Sequence, residues 1–133
     1  LQVGRSAARD AAPVLPSDDA DMTATLPHLT RHVAAMVRVQ RLTGMRPGEV
    51  CRLRRREIDE SGEQWRYRPA RHKTAWRGRT RVVVLGPKAQ AILREFFTDD
   101  PDAFLFSPRK AMAEFRAAQR AARTTPLTPA QVW

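Results

Sequence analysis

Residues Thr43–Asp59 read TGMRPGEVCRLRRREID, and this stretch indicates how the chain turns from one helix into the next. Gly44 is a typical helix stop, and Pro47 is a typical first residue of a following helix. Arg46 therefore lies in the joint, beside a helix N-terminus whose dipole end is already positive. A merely solvated arginine has no need of that position. An arginine that binds an anion does, because its guanidinium and the helix amides can act on the same ligand.

The charge of the chain indicates which anion to consider. The 133 residues carry a formal net charge of +10, and only three of the 24 basic residues are lysines, so 21 are arginines. Arginine suits bidentate phosphate binding, although a G·C-rich genome would also favour arginine over lysine. Residues 46–81 hold eleven arginines and one lysine against five acids, so the charge is concentrated in the middle of the chain. We therefore expect a polyanionic partner, with nucleic acid as the first class to consider.

Other features narrow the class of protein. The length suits one domain. The single cysteine, Cys51, excludes an internal disulfide, and we expect it to be a small core residue. Three histidines without a matching ligand pattern predict no metal site. No apolar run approaches the ~18 residues of a membrane span, and no signal peptide is visible, so we expect a cytoplasmic protein without a membrane partner.

The residue pattern predicts an α+β domain that is mostly helical, with a small three-stranded antiparallel sheet. We expect helices at about Thr30–Gly44, from Pro47, from Pro87 and at about Pro108–Arg123. We expect strands at about Gln64–Pro69, Arg71–Thr74 and Arg79–Leu85, with a hairpin tip near Ala75–Gly78. Alternation in the first strand places Tyr67 beside Trp65 in the core. Residues 1–22 suggest a linker or disordered arm, 23–123 the domain, and 124–133 the start of an irregular connection.

These motifs, in this order, resemble the first half of the catalytic domain of tyrosine recombinases, the phage-integrase family. TGMRPGEV is similar to the T-G-x-R-x-x-E stretch of that family, and HKT followed by RTRVVVL is similar to its lysine hairpin and the strand after it. TGMRPGEV together with YRPxxHKT resembles planctomycete-type integrases in particular. The resemblance covers roughly Leu26 to Arg123, and its strength lies in the combination of the two motifs at the family's spacing.

The resemblance implies site-specific DNA recombination or integration, by attack of a tyrosine on a phosphodiester without metal or cofactor. It implies that Arg46 stabilises the non-bridging phosphate oxygens and that Lys73 protonates the 5′-oxygen leaving group. Glu49 would support Arg46 from one helical turn away. Four neighbouring arginines, Arg81 among them, would favour proton donation by Lys73 through like-charge repulsion. The implied partner is double-stranded DNA, with a full-length parent assembled as a tetramer. The further DNA-binding residues are Arg71, His72, Thr74, Arg77 and Arg79.

The sequence holds only part of the active site that this family uses. The family's second half carries a His-x-x-Arg box and the nucleophilic tyrosine, whereas no histidine follows His72 here and the only tyrosine is Tyr67. We therefore expect an incomplete catalytic domain that binds DNA but is inactive alone. Two alternatives remain: a non-enzymatic DNA-binding remnant, in which Arg46 and Lys73 only contact phosphates, and a basic module that binds RNA or a ribosomal surface.

Overall fold

The computed structural model describes residues 12, 13, 15–71, 78 and 80–126, which form a mixed α+β structure. Two 3₁₀ turns, Leu26–His28 and Arg55–Glu57, accompany the longer elements. In chain order these elements are α1 (Asp19–Thr25), α2 (Arg31–Thr43), α3 (Pro47–Cys51), β1 (Ile58–Asp59), β2 (Trp65–Tyr67), β3 (Val83–Leu85), α4 (Pro87–Arg94) and α5 (Pro108–Ala121). Within the described residues no helix is long and apolar enough to cross a membrane.

The helix signals in the sequence lie where the helices begin and end. Proline is the first residue of α3, α4 and α5, where its missing N–H costs nothing and its fixed φ suits a helix. Helix α2 follows Thr30 and stops at Gly44, whose φ of 63° and ψ of 21° are left-handed. That conformation suits glycine because a Cβ would meet the following carbonyl.

The sheet is antiparallel, in the order β1-β2-β3. Trp65 pairs with Leu85 and Tyr67 with Val83, and all four side chains are buried, while Arg66 between them is exposed. This alternation follows from the period of two along a strand. The expected small three-stranded antiparallel sheet is therefore confirmed.

The core lies between the inner face of this sheet and the helices. Helix α2 packs against α3, α4 and β3, and α4 also packs against β3. Burial of these apolar side chains is the main favourable term for such a domain. The largest side chains that are almost completely buried are Tyr67, Met45, Leu53, Leu85, Leu93, Val39 and Val50.

Several details differ from the sequence predictions. The third strand of the described sheet is β1, which was not predicted: Ile58 is buried and pairs with Tyr67. Of the predicted strand Arg71–Thr74, Arg71 lies in a bend and the other residues are outside the described part of the chain. Strand β3 is shorter than predicted and starts at Val83. Residues 19–22, predicted as part of an arm, begin helix α1, which Asp18 caps by accepting a hydrogen bond from the backbone of Ala20.

Cys51 is exposed, so its assignment to the core was wrong. It is the last residue of α3, while Val50 within that helix and Leu53 just after it are the buried residues. The backbone N–H of Leu105 donates to the carbonyl of Leu53 (3.0 Å), which holds the loop before α5 against the core. The last helix ends at Ala121, two residues before the predicted end at Arg123.

Candidate functional site

The joint between α2 and α3 places Arg46 at the surface. Gly44 closes α2 by donating its backbone N–H to the carbonyl of Gln40 (2.9 Å), and Met45 buries its side chain in the core. Arg46 then has an extended backbone (φ −71°, ψ 147°), the conformation that the ring of the next residue, Pro47, favours. The buried Met45 and the proline together fix where the backbone of Arg46 lies, and its side chain is 45% exposed.

Glu49 lies beneath Arg46 and is the centre of the site. Its side chain is only 2% exposed. Its Oε2 accepts the backbone N–H of Arg46 (3.0 Å), which satisfies one of the free donors at the start of α3. Its Oε1 accepts Nε–H of Arg81 (2.7 Å) and lies 3.6 Å from a terminal guanidinium nitrogen of Arg46. One buried carboxylate thus holds two arginines.

The electrostatics of this cluster leave a positive charge at the surface. Burial alone would raise the pKa of Glu49, but the hydrogen bonds from Arg81 and from the Arg46 backbone, with the charges of both arginines, hold that pKa below its ordinary value. Glu49 is therefore ionised at neutral pH. Two guanidiniums share its single negative charge, so the cluster carries a surplus of one positive charge. The exposed guanidinium of Arg46 is positioned to bind an anion with it.

Tyr67 is unsuited to act as a nucleophile in this fold. Its side chain is 1% exposed, and its hydroxyl donates to the backbone carbonyl of Glu49 (3.3 Å). Burial, followed by the nearby charges of Glu57 and Glu49, raises the pKa of its phenol far above the ordinary value. The side chain of Tyr67 therefore lies in the core, as its alternation in the sequence predicted.

The predicted site residues fall into three groups. Arg46 and Glu49 are in contact, as described above. Arg71 is exposed and lines a different pocket of about 410 Å³, together with Arg52, Arg54 and Arg56. The remaining predicted residues lie outside the described part of the chain: His72, Lys73, Thr74, Arg77 and Arg79.

The arginines between α3 and β1 are largely engaged by neighbours. Arg55 is paired with Glu60 (2.8 Å) and Arg56 with Asp102. The guanidinium of Arg54 lies 4.2 Å from the centre of the Phe104 ring, a cation–π contact. These contacts explain why the arginine run is compatible with the fold, and the two acids reduce the positive charge that the run offers to a ligand.

Arg81 is the site residue that the sequence prediction missed, because it was counted only among the arginines around Lys73. The sequence did contain a signal for this role. Alternate residues of a strand face the same side, so Arg81 lies on the same side as Val83 and Leu85, which are buried in β3. An arginine that faces the same side as buried residues needs an acidic partner to compensate its charge, and Glu49 is that partner. Among the described residues no cluster of histidine, cysteine or acidic side chains is suited to hold a metal ion.

Comparison with known proteins found no family model, curated protein or solved structure that matches this chain.

Proposed function

We propose that this chain is the first part of a tyrosine-recombinase catalytic domain and that Arg46 binds the scissile phosphate of double-stranded DNA. Lys73 is the general acid of the proposed reaction, and Glu49 supports Arg46. The proposed reaction is strand cleavage and rejoining in site-specific recombination or integration, by a cytoplasmic enzyme that assembles as a tetramer on DNA. Other contacts to DNA are assigned to Arg71, His72, Thr74, Arg77 and Arg79.

The observation that carries this proposal is the half-exposed guanidinium of Arg46 above the buried carboxylate of Glu49. A catalytic cation has to be held in place before the charge on the phosphate develops, because a donor that reorganises during the reaction stabilises the transition state less. Glu49 provides such an anchor through the Arg46 backbone N–H (3.0 Å) and the guanidinium (3.6 Å). The planar fork of Arg46 remains available for two phosphate oxygens.

A second candidate is non-enzymatic binding of DNA phosphates, which the burial of Tyr67 favours. Tyr67 is the only tyrosine of the sequence, and its hydroxyl is held in the core. In this case Arg46 would contribute affinity but no chemistry. The two candidates differ in whether a nucleophile supplied with this chain can cleave DNA.

The test uses an enzyme in which this chain is joined to a segment that carries the His-x-x-Arg box and the tyrosine. Arg46→Lys keeps the charge but loses the planar fork, so we expect cleavage to slow by about 10²-fold or more, the loss typical of one oxyanion donor. Lys73→Ala should also slow cleavage. A substrate with a 5′-sulfur leaving group needs no protonation, so it should rescue Lys73→Ala but not Arg46→Lys.

The control for this test is Arg66→Ala, on the exposed face of β2, which should cleave both substrates like the parent. Parent-like cleavage by Arg46→Lys would contradict the role of Arg46. Equal rescue of both variants by sulfur would contradict the division of roles. An enzyme that binds DNA but forms no covalent complex would favour the non-enzymatic candidate.

A further inference from the structure

Arg81 connects two parts of the chain that are distant in sequence. It lies two residues before β3, and its side chain is 28% exposed. Its Nε–H donates to Oε1 of Glu49 (2.7 Å), an acid that is 32 positions earlier in the chain and almost completely buried. The hydrogen bond therefore ties the entry to the last strand of the sheet to the joint before α3.

The contacts of Glu49 indicate what this hydrogen bond does for Arg46. Both guanidiniums approach the same oxygen, but Arg81 lies at 2.7 Å and Arg46 at 3.6 Å, so Arg81 is the principal partner of that oxygen. A buried carboxylate without a partner is costly, and the nearest remaining cation would have to satisfy it. That cation is Arg46. Without Arg81, the guanidinium of Arg46 would turn inward toward the carboxylate and away from solvent.

We propose that Arg81 is a positioning residue, which neutralises Glu49 so that the guanidinium of Arg46 stays available to a phosphate. Arg81 acts through Glu49 and does not itself touch the phosphate. The inference rests on the proposed function in one respect, that the anion bound by Arg46 is a phosphate of DNA. The sharing of one carboxylate between two arginines is independent of what that anion is.

The first test needs no ligand. The Nε–H signal of Arg46 is followed by ¹⁵N–¹H NMR in the parent chain, Arg81→Gln, Arg81→Lys and the matched control Arg66→Gln. In Arg81→Gln we expect solvent exchange of this Nε–H to slow by about tenfold, because Arg46 then makes the charge-assisted bond that Arg81 has lost. Arg81→Lys keeps a cation beside Glu49 and should exchange like the parent, as should Arg66→Gln. Unchanged exchange in Arg81→Gln would overturn the inference.

The second test adds a 12-base-pair DNA duplex to the same samples. The Arg46 signal should shift in the parent, in Arg81→Lys and in Arg66→Gln, and should not shift in Arg81→Gln. The double variant Glu49→Gln/Arg81→Gln removes the negative charge that draws Arg46 inward, so it should regain the shift. A merely structural role of Arg81 predicts no such recovery. If the Arg46 signal of the double variant does not shift on addition of DNA, the inference is overturned.

The two tests separate the two proposals. If DNA shifts no Arg46 signal in the parent, the proposed function fails, and the exchange measurement alone decides whether Arg81 positions Arg46. If the parent responds to DNA and Arg81→Gln responds equally, the proposed function survives and the role of Arg81 is contradicted.

Discussion

At the scale of single residues, the buried charge of Glu49 explains most of the site. A carboxylate at this depth is stable only with hydrogen bonds and opposite charge around it, and here a backbone amide and two arginines provide them. The same contacts orient Arg46, the residue to which we assign phosphate binding. Stability and proposed function therefore depend on one side chain, which allows the site to be examined through folding measurements.

The pH dependence of stability should report this carboxylate. Because the pKa of Glu49 is lower in the folded chain than its ordinary value of 4.5, ionised Glu49 stabilises the fold fully above that value, and the stabilisation is lost as pH falls through the folded pKa. Chemical denaturation from pH 7 to pH 2 should show this loss in the parent. Glu49→Gln should be less stable at pH 7 and should lose less stability on acidification. Glu63→Gln, an exposed acid, is the control, and an equal response of both variants would contradict the assignment.

Tyr67 should form no covalent bond to DNA. Its hydroxyl is buried, donates to the Glu49 carbonyl, and has a raised pKa, so neither access nor ionisation favours attack on phosphorus. Incubation of the chain with a nicked DNA substrate, followed by a denaturing gel, should show no adduct. Tyr67→Phe should lose only about 1 kcal/mol of stability, the value of one hydrogen bond. An adduct that disappears in Tyr67→Phe would show that the core assignment is wrong.

At the scale of elements, the joint between α2 and α3 places the site. Helix α2 contributes through its end at Gly44 and α3 through its first turn. The segment that leads into β3 contributes Arg81. Helix α3 has only five residues, too few to be stable alone. Its position depends on the burial of Val50 and on the carboxylate of Glu49. The geometry of the site is thus a consequence of tertiary packing.

Gly44→Ala tests whether this joint is built as described. Gly44 has a φ of 63°, and apart from its own chain neighbours no atom lies within 4 Å of an added Cβ, so the cost of alanine comes from the local backbone conformation and not from a clash with the rest of the fold. We expect a loss of roughly 1–2 kcal/mol in the free energy of unfolding, the cost of a left-handed residue. Gly62→Ala, for which an added Cβ makes only an ordinary contact at 3.6 Å, is the matched control for urea denaturation. Equal stability of the two variants would contradict the left-handed joint.

At the scale of the whole molecule, sequence signals predicted the elements that have strong local causes. Prolines and Gly44 mark helix ends for steric reasons, and alternation revealed the faces of β2. Helix α1 was missed because it has no buried residues and hence no apolar period. Strand β1 was missed because two residues carry no period, and its place depends on pairing with Tyr67. The contact between Arg81 and Glu49 is tertiary, so spacing along the chain could not identify the partner.

The distribution of charge across the molecule gives Arg46 its significance. Many arginines of this chain are neutralised locally, among them Arg31 by Glu95 and Glu114, Arg41 by Asp19, and Arg55 by Glu60. These ion pairs leave little net charge in the regions that hold them, so those regions contribute little to the net charge of +10 that the whole chain offers to a polyanion. The Arg46 cluster differs because two cations share one acid. We infer that phosphate binding depends on particular arginines and only in part on the overall charge.

The most direct test of the phosphate-binding role of Arg46 is the affinity of the chain for duplex DNA as a function of salt, measured by fluorescence anisotropy. We predict weak binding with little sequence preference, a loss of at least about tenfold between 50 and 200 mM salt as counterions are released, and a salt slope lowered by about one in Arg46→Ala. The control Arg66→Ala, whose position pairs with Asp59 across the sheet, should change the slope much less. Affinity that is independent of salt, undetectable at 50 mM, or equally altered by both variants would contradict the account.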